Sequence, residues 1–224
     1  SAAGLVSAAG LAGLITVGVL VTLLVSYLLS KTILRGVPSS FALELPPYRK
    51  PQIGSVIVRS VLDRTVFVLG RAVLAAAPAG LLIWLFANVT IGGETILALC
   101  TGFLDPVAAL FGLDGVILMA FILGIPANEI VLPIIIMAYM SGGSLTELGD
   151  LGSVRTLLVE TGWTYVTAAS TMLFSLLHWP CATTLMTIRK ETGSLRWTIA
   201  AFLIPTVVGL AACFLLTFTM RLFL

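Results

Sequence analysis

Gly115-Val-Ile-Leu-Met-Ala-Phe-Ile-Leu-Gly-Ile-Pro-Ala-Asn-Glu-Ile-Val-Leu-Pro-Ile-Ile-Ile-Met-Ala-Tyr-Met140 is apolar almost throughout, and is broken near its middle by Gly124, Pro126, Asn128 and Glu129. A run of this length reads as membrane-embedded, because about 20 helical residues cross a hydrocarbon core of roughly 30 Å. Its centre does not fit that reading. Proline removes a backbone donor, and a carboxylate at membrane depth is costly unless something pairs with it. Such breaks are tolerated where protein or a wet cavity takes up the freed backbone groups, so this one marks a path for a solute or ion. Trp163 to Ile188 is interrupted in the same way by His178-Trp-Pro-Cys181.

The rest of the composition agrees. Hydrophobic residues make up 59% of the chain, charged residues 10%, and the mean hydropathy is +1.14. A soluble domain carries about a quarter charged residues, so the expected class is all-α: a polytopic transmembrane helical bundle with two broken helices. A net charge of +2 is too small to suggest a nucleic-acid partner, and the lipid bilayer is the expected surroundings. Cys100, Cys181 and Cys213 lack CxxC spacing, which argues against structural zinc and disulfide staples. No Walker loop, Ser/His/Asp set or carboxylate pair is present, so the chain is not expected to be an enzyme.

Residues 1–30 read as a first transmembrane helix, with the apolar run at Gly4 to Leu29. Residues 31–65 read as a cytoplasmic arm and an amphipathic interfacial helix. Lys31, Arg35, Arg49, Lys50, Arg59, Arg64 and Arg71 place this side inside. The prolines of Glu44-Leu-Pro-Pro-Tyr-Arg-Lys-Pro51 enforce an extended arm, and Gly54 to Asp63 has helical amphipathic spacing.

Residues 66–224 read as the remaining membrane region. A span from about Val66 to Ala87 contains Pro78, and a turn follows at Gly92-Gly93. Thr95 to Phe111, interrupted by Gly102, Asp105 and Pro106, suits a re-entrant or half-crossing element. Gly115–Met140 and Trp163–Ile188 are the broken segments, separated by a polar stretch with one or two short helices. Trp197 to Leu222 is the last span. The basic turn Arg189-Lys-Glu-Thr-Gly193 lies inside. An odd number of crossings must connect an outer turn at Gly92 to an inner turn at Arg189. Three crossings fit if Thr95–Phe111 is one.

Four residues at the breaks are candidate cation ligands. Glu129 follows the first break, where Asn128 is placed to cap a resumed helix and the preceding half-helix would leave open carbonyls near Gly124. A structural pairing of Glu129 with His178 is the plainer alternative. Cys181, after Pro180, falls at a helix start, which favours the thiolate. His178 supplies an imidazole nitrogen. Sulfur, nitrogen and one carboxylate suit a transition metal better than sodium or calcium. Gly124, Pro126 and Pro180 are the helix-breaking residues themselves. Thr183, Thr184 and Thr187 share a face of the following half-helix, where back-bonding to their own helix is the default role.

Glu44-Leu-Pro-Pro-Tyr-Arg49, Gly124-Ile-Pro-Ala-Asn-Glu-Ile130 and His178-Trp-Pro-Cys-Ala-Thr-Thr184, with Arg189-Lys-Glu-Thr-Gly193, together resemble the membrane domain of FeoB, the ferrous iron transport protein B family. The resemblance implies a multi-pass protein of the bacterial inner membrane that carries Fe(II) into the cytoplasm as a transported ion, with no permanently bound cofactor. It implies that this chain corresponds to the second of two Gate regions, with Cys181 matching the cysteine proposed to handle iron there. The first Gate and the GTP-binding domain have no counterpart in these residues, and they are the expected partners. Self-association is left open. Two rival readings remain at this point: a nucleoside or other organic-solute carrier of the same Gate architecture, and a non-transporting membrane assembly domain.

Overall fold

A proline-free run of apolar residues, Ala2–Thr32, forms α1. In the computed structural model the described residues are 2–33, 66–140 and 150–223, together with Gly54 and Val58. The expected proline arm and amphipathic helix therefore lie outside the described residues. α2 (Phe67–Asn88) keeps Pro78 within the helix and ends at a tight hairpin, β1 (Thr90–Ile91) paired antiparallel with β2 (Glu94–Thr95). Gly92 and Gly93, at φ 68° and 96°, supply the two positive-φ positions that a two-residue hairpin turn needs. The sequence reading anticipated the turn but not the strands.

α3 (Ile96–Ala108) is capped by the Thr95 hydroxyl, which accepts from Ala98 N at 3.1 Å. The expected interruptions at Gly102, Asp105 and Pro106 do not break it. Asp105 instead reaches past the helix end, where its Oδ1 accepts from Gly115 N at 2.9 Å and so forms a corner. After a 3-10 turn (Ala109–Phe111), the chain bends by 105° into α4 (Gly115–Leu123), which is capped by Asp114. The backbones are so close here that a Cβ on Gly115 would run into the Thr101 carbonyl.

α4 leads through Gly124–Ala127 and a 3-10 turn (Asn128–Ile130) into α5 (Val131–Tyr139). At about 1.5 Å per residue each arm is only about 14 Å long, roughly half a bilayer core. The two arms pack on each other, and Tyr139 OH at the end of α5 donates to Asp114 Oδ2 at the start of α4. Gly115–Met140 is thus a helical hairpin that returns to the end from which it started, and not the single broken crossing expected from its length. It lies in the centre of the core: Ile117, Ala120, Phe121, Ile134, Ile135 and Met137 are all buried. Its helices are apolar all round, most of their side chains meeting protein while Ile122 and Leu132 stay exposed.

α6 (Leu151–Glu160) begins at an Asp150 cap and leads through Gly162 to Trp163, whose indole donates to Tyr139 OH at 2.7 Å. From this end α7 (Tyr165–Leu177) runs inward to the second break, and α8 (Ala182–Thr192) continues from it to a left-handed turn at Gly193. α9 (Leu195–Phe223) then returns along α7 and α8, and Arg221 near its end donates to Ala109 O at 3.1 Å. Its midpoint, Gly209, lies against the second break, where a Cβ would meet Leu177 O at 3.0 Å. α1 packs on α7, with Gly18 buried against Leu176. Among the described residues, Ser7–Thr32 and Leu195–Leu222 are long and apolar enough to cross a membrane unaided, whereas Ala76–Asn88 and Asn128–Tyr139 are apolar but shorter.

Candidate functional site

The two breaks meet. α8 starts at Cys181, an extended N-cap residue, and its first amide, Ala182 N, donates to Ile125 O in the first break at 2.8 Å. One free donor of a helix start is thereby satisfied by a carbonyl that its own helix had left behind. Gly124 O accepts from Ala127 N at 3.0 Å. The open carbonyls expected near Gly124 are thus engaged by protein, and the site lies in side chains instead.

Asn128 does not cap the resumed helix as expected. Ala127 occupies the N-cap position of the 3-10 turn without a side-chain bond, and Asn128 Oδ1 is buried with no partner among the described residues. His178 Nδ1 lies 2.9 Å from Ser175 O. A carbonyl only accepts, so this nitrogen carries the proton and Nε2 presents a lone pair. Nε2 is also buried without a partner, as is Trp179 Nε1. No bond joins Glu129 to His178 among the described residues, and Glu129 is exposed. The structural pairing considered for them is not seen.

Asn128, His178, Trp179 and Pro180 line one open cavity of about 510 Å³, together with Thr22 and Ser26 of α1 and Ala201, Pro205 and Val208 of α9. Cys181 and Glu129 do not line it. The Cys181 sulfur, half-buried, lies 3.1 Å from Thr183 Oγ1 and 3.2 Å from Thr184 Oγ1, so two hydroxyls converge on one thiol. Thr187 back-bonds to Thr183 O at 2.9 Å, the default expected for all three threonines. Among the described residues no three His, Cys, Asp or Glu side chains gather closely enough to hold a metal ion together. The crossing brings instead an imidazole and an amide side chain to the lining of one cavity, and a thiol to the start of α8.

Sequence reading passed over two features. Trp179 was only an aromatic neighbour there, yet its indole N–H belongs to the set of unpaired atoms, and its ring stacks on Phe202 at 5.5 Å between centroids. Phe121 and Phe174 meet edge to face at 4.8 Å beside it. These rings pack on one another. The other is the Asp114–Tyr139–Trp163 chain, which fixes the outer ends of the hairpin. Its members are far apart in sequence, so no local pattern announces it.

Residues 11–63 match the family model described as ferrous iron transport protein B C terminus. Among curated proteins, the chain is 30% identical over 213 residues to the Fe(2+) transporter FeoB of Staphylococcus aureus (strain MSSA476), an alignment covering 90% of this chain and 30% of that protein. It is 27% identical over 198 residues to the Fe(2+) transporter FeoB of Methanocaldococcus jannaschii, covering 82% of this chain and 28% of the relative. The corresponding protein of Leptospira interrogans (strain Fiocruz L1-130) is 25% identical over 240 residues, covering 94% and 33%. The chain thus spans about a third of the length of the curated relatives it matches. No solved structure matches it. The resemblance drawn from the three motifs holds over most of this chain.

Proposed function

We propose that this chain forms part of the membrane pathway by which ferrous iron enters a bacterial cell, as the second Gate region of a FeoB-type transporter. The observation that carries the proposal is the crossing of the two breaks. Ala182 N is bonded to Ile125 O there, and Asn128, His178 and Trp179, each with a buried polar atom unpaired among the described residues, line one cavity. Buried polar groups in a membrane protein are costly unless used, which makes this crossing the natural place for an ion to bind in passing. The relatives' printed name, Fe(2+) transporter, supplies the ion.

In this reading residues 1–30 are one membrane helix, 31–65 lie on the cytoplasmic side and 66–224 make the Gate. α2 leads outward and α3 lies across the outer face. The α4–α5 hairpin dips to mid-depth and returns, α7 and α8 make one broken crossing inward, and α9 leads back. A single crossing replaces the three expected between Gly92 and Arg189 and still satisfies the odd count. Cys181 is the leading iron-handling residue; His178 and Asn128 act in the cavity, and Glu129 acts at the exposed edge of the hairpin turn. Fe(II) is exchanged between such ligands and not stored, so no cofactor is retained and no bond is made or broken in a substrate. The partners are lipid and the first Gate and GTP-binding domain of the same transporter.

The test is Fe(II) uptake by cells expressing the native full-length protein with Cys181→Ser. Uptake should fall at least tenfold, by about the 1.4 kcal/mol that separates a good ligand from a poor one. Uptake equal to that of the unaltered protein would remove Cys181 from the pathway.

A further inference from the structure

α3 divides its surface into three sectors. Leu97 and Ala108 are buried in the core and Leu104 packs against it. Glu94 and Thr95 before the helix, with Ala98 and Thr101 on one flank of it, border a cavity of about 450 Å³ and make a polar side. Opposite the core, Leu99, Phe103, Val107 and Leu110 follow one another at spacings of four, four and three and so form a single stripe. All four are exposed, Phe103 by 80%. A continuous apolar stripe of this kind marks a surface that something covers.

The places where the ends of α3 are held identify the cover. At its start, Thr95 caps the helix and pairs with Thr90 in the hairpin that follows the exposed Asn88 at the end of α2. Beyond its end, Ala109 O accepts from Arg221 in the last turn of α9 at 3.1 Å. Leu195–Leu222 is long and apolar enough to cross a membrane, and a guanidinium at the end of such a helix sits where lipid meets water. In the membrane course given above, the hairpin and Arg221 both lie on the outer side, so both ends of α3 are held at one boundary. Its 13 residues reach about 20 Å, too short for a core of roughly 30 Å, and α4 departs from this stretch of chain at 105°. If α4 dips inward, α3 runs along the surface. Its neighbours there present lipid-facing side chains of the same kind: Leu81 and Leu82 of α2 and Leu215 and Phe218 of α9 are exposed, and both helices contact the α3 corner.

We propose that α3 lies in the outer surface of the membrane as an interfacial helix, with Leu99, Phe103, Val107 and Leu110 bedded among lipid acyl chains. The inference rests on reading this chain as a membrane transporter part and adds the partner of this face. It also gives α3 a mechanical role. Asp105 Oδ1 holds Gly115 N at 2.9 Å and Gly115 lies against the Thr101 carbonyl, so the level at which lipid holds α3 is the level from which α4 descends to the first break.

Photo-crosslinking in the native membrane tests this, with the full-length protein carrying Phe103→p-benzoylphenylalanine. Phospholipid should be the main adduct, as it should for Leu215→p-benzoylphenylalanine on the crossing helix. Ala98→Cys, exposed on the polar flank, should react with a membrane-impermeant maleimide added to spheroplasts, above the level given by the unaltered protein. Protein as the main adduct at Phe103, either another part of the transporter or a second copy, would overturn lipid as the cover. An unreactive Ala98→Cys would overturn the placement along the surface. Either result leaves the transport reading standing. A missing lipid adduct at Leu215 as well would overturn the membrane course, and the inference would fall with that reading.

Discussion

At Gly124–Ile130 the chain doubles back inside the core, between two buried helices whose backbone groups are answered within a few residues or by Ala182. At His178–Cys181 the chain continues into α8, and two side-chain atoms of this break, His178 Nε2 and Trp179 Nε1, are buried without a partner among the described residues. The first break is held by steric fit. Gly124 has Val131 and the Ala120 carbonyl within reach of a Cβ, and the far ends of the hairpin are tied by Tyr139 to Asp114 and Trp163. The second break is held mainly by what lies alongside it, α9 at Gly209 and the rings of Phe174 and Phe202. The difference separates two tasks that sequence alone had given to both breaks. The first break is mainly a fixed support that adds one candidate ligand to the cavity, Asn128, and the second carries His178, Trp179 and Cys181.

Substitution can break this contrast, most severely at the first break. Gly124→Val places a side chain 2.5 Å from Val131 Cγ2 and 2.9 Å from Ala120 O. It should cost about 3 kcal/mol or prevent folding. Thermal unfolding of the detergent-purified protein measures this, and a loss under about 1 kcal/mol would mean that the first break is no tighter than the second. Tyr139→Phe deletes the hydroxyl shared by Asp114 and Trp163 and leaves both half-buried groups short of a partner. A loss of about 2 kcal/mol is expected in the same measurement. An unaffected melting curve would show that the hairpin ends are not fixed by this chain of bonds.

At the second break the balance should reverse. Cys181→Ser keeps a small polar N-cap and should change stability by less than about 0.5 kcal/mol while lowering uptake at least tenfold. Parallel losses of uptake and stability would make this cysteine a structural residue. Thr184→Val, at an exposed position, removes one of the two hydroxyls beside the sulfur. Stability should not move, and uptake should fall about twofold, the effect of one modest hydrogen bond. A fall as large as that for Cys181→Ser would transfer the ligand role to the hydroxyl.

The helical class, α1, the break at His178–Cys181 and α9 were legible because length, hydropathy and proline position act locally. The return of Gly115–Met140 was not. An apolar run of this length suits one crossing or two half-crossings equally, and the choice is made by the bond from Tyr139 to Asp114, between residues at opposite ends of the run. Asp105 looked like an interruption because a carboxylate in an apolar stretch has no evident partner. Its partner is a backbone amide beyond the next bend. At the site, residue types pointed to His178, Asn128 and Cys181, but their division between a cavity and a separate thiol depends on side-chain directions that spacing does not reveal. The role expected for the Gly124 carbonyls failed for a related reason, since the donor for Ile125 O comes from the other broken segment.

That bond between Ala182 N and Ile125 O uses only main-chain atoms, so ordinary side-chain replacement leaves it untouched and the crossing can persist while the residues around it drift. Proline is the exception, and the position suits it. Ala182 is the first residue of α8, where proline is well tolerated, and Cys181 before it is already extended at φ −63° and ψ 161°. Ala182→Pro would leave α8 intact and cut the main-chain bond between the two breaks, a way to ask whether they move as one body or as two.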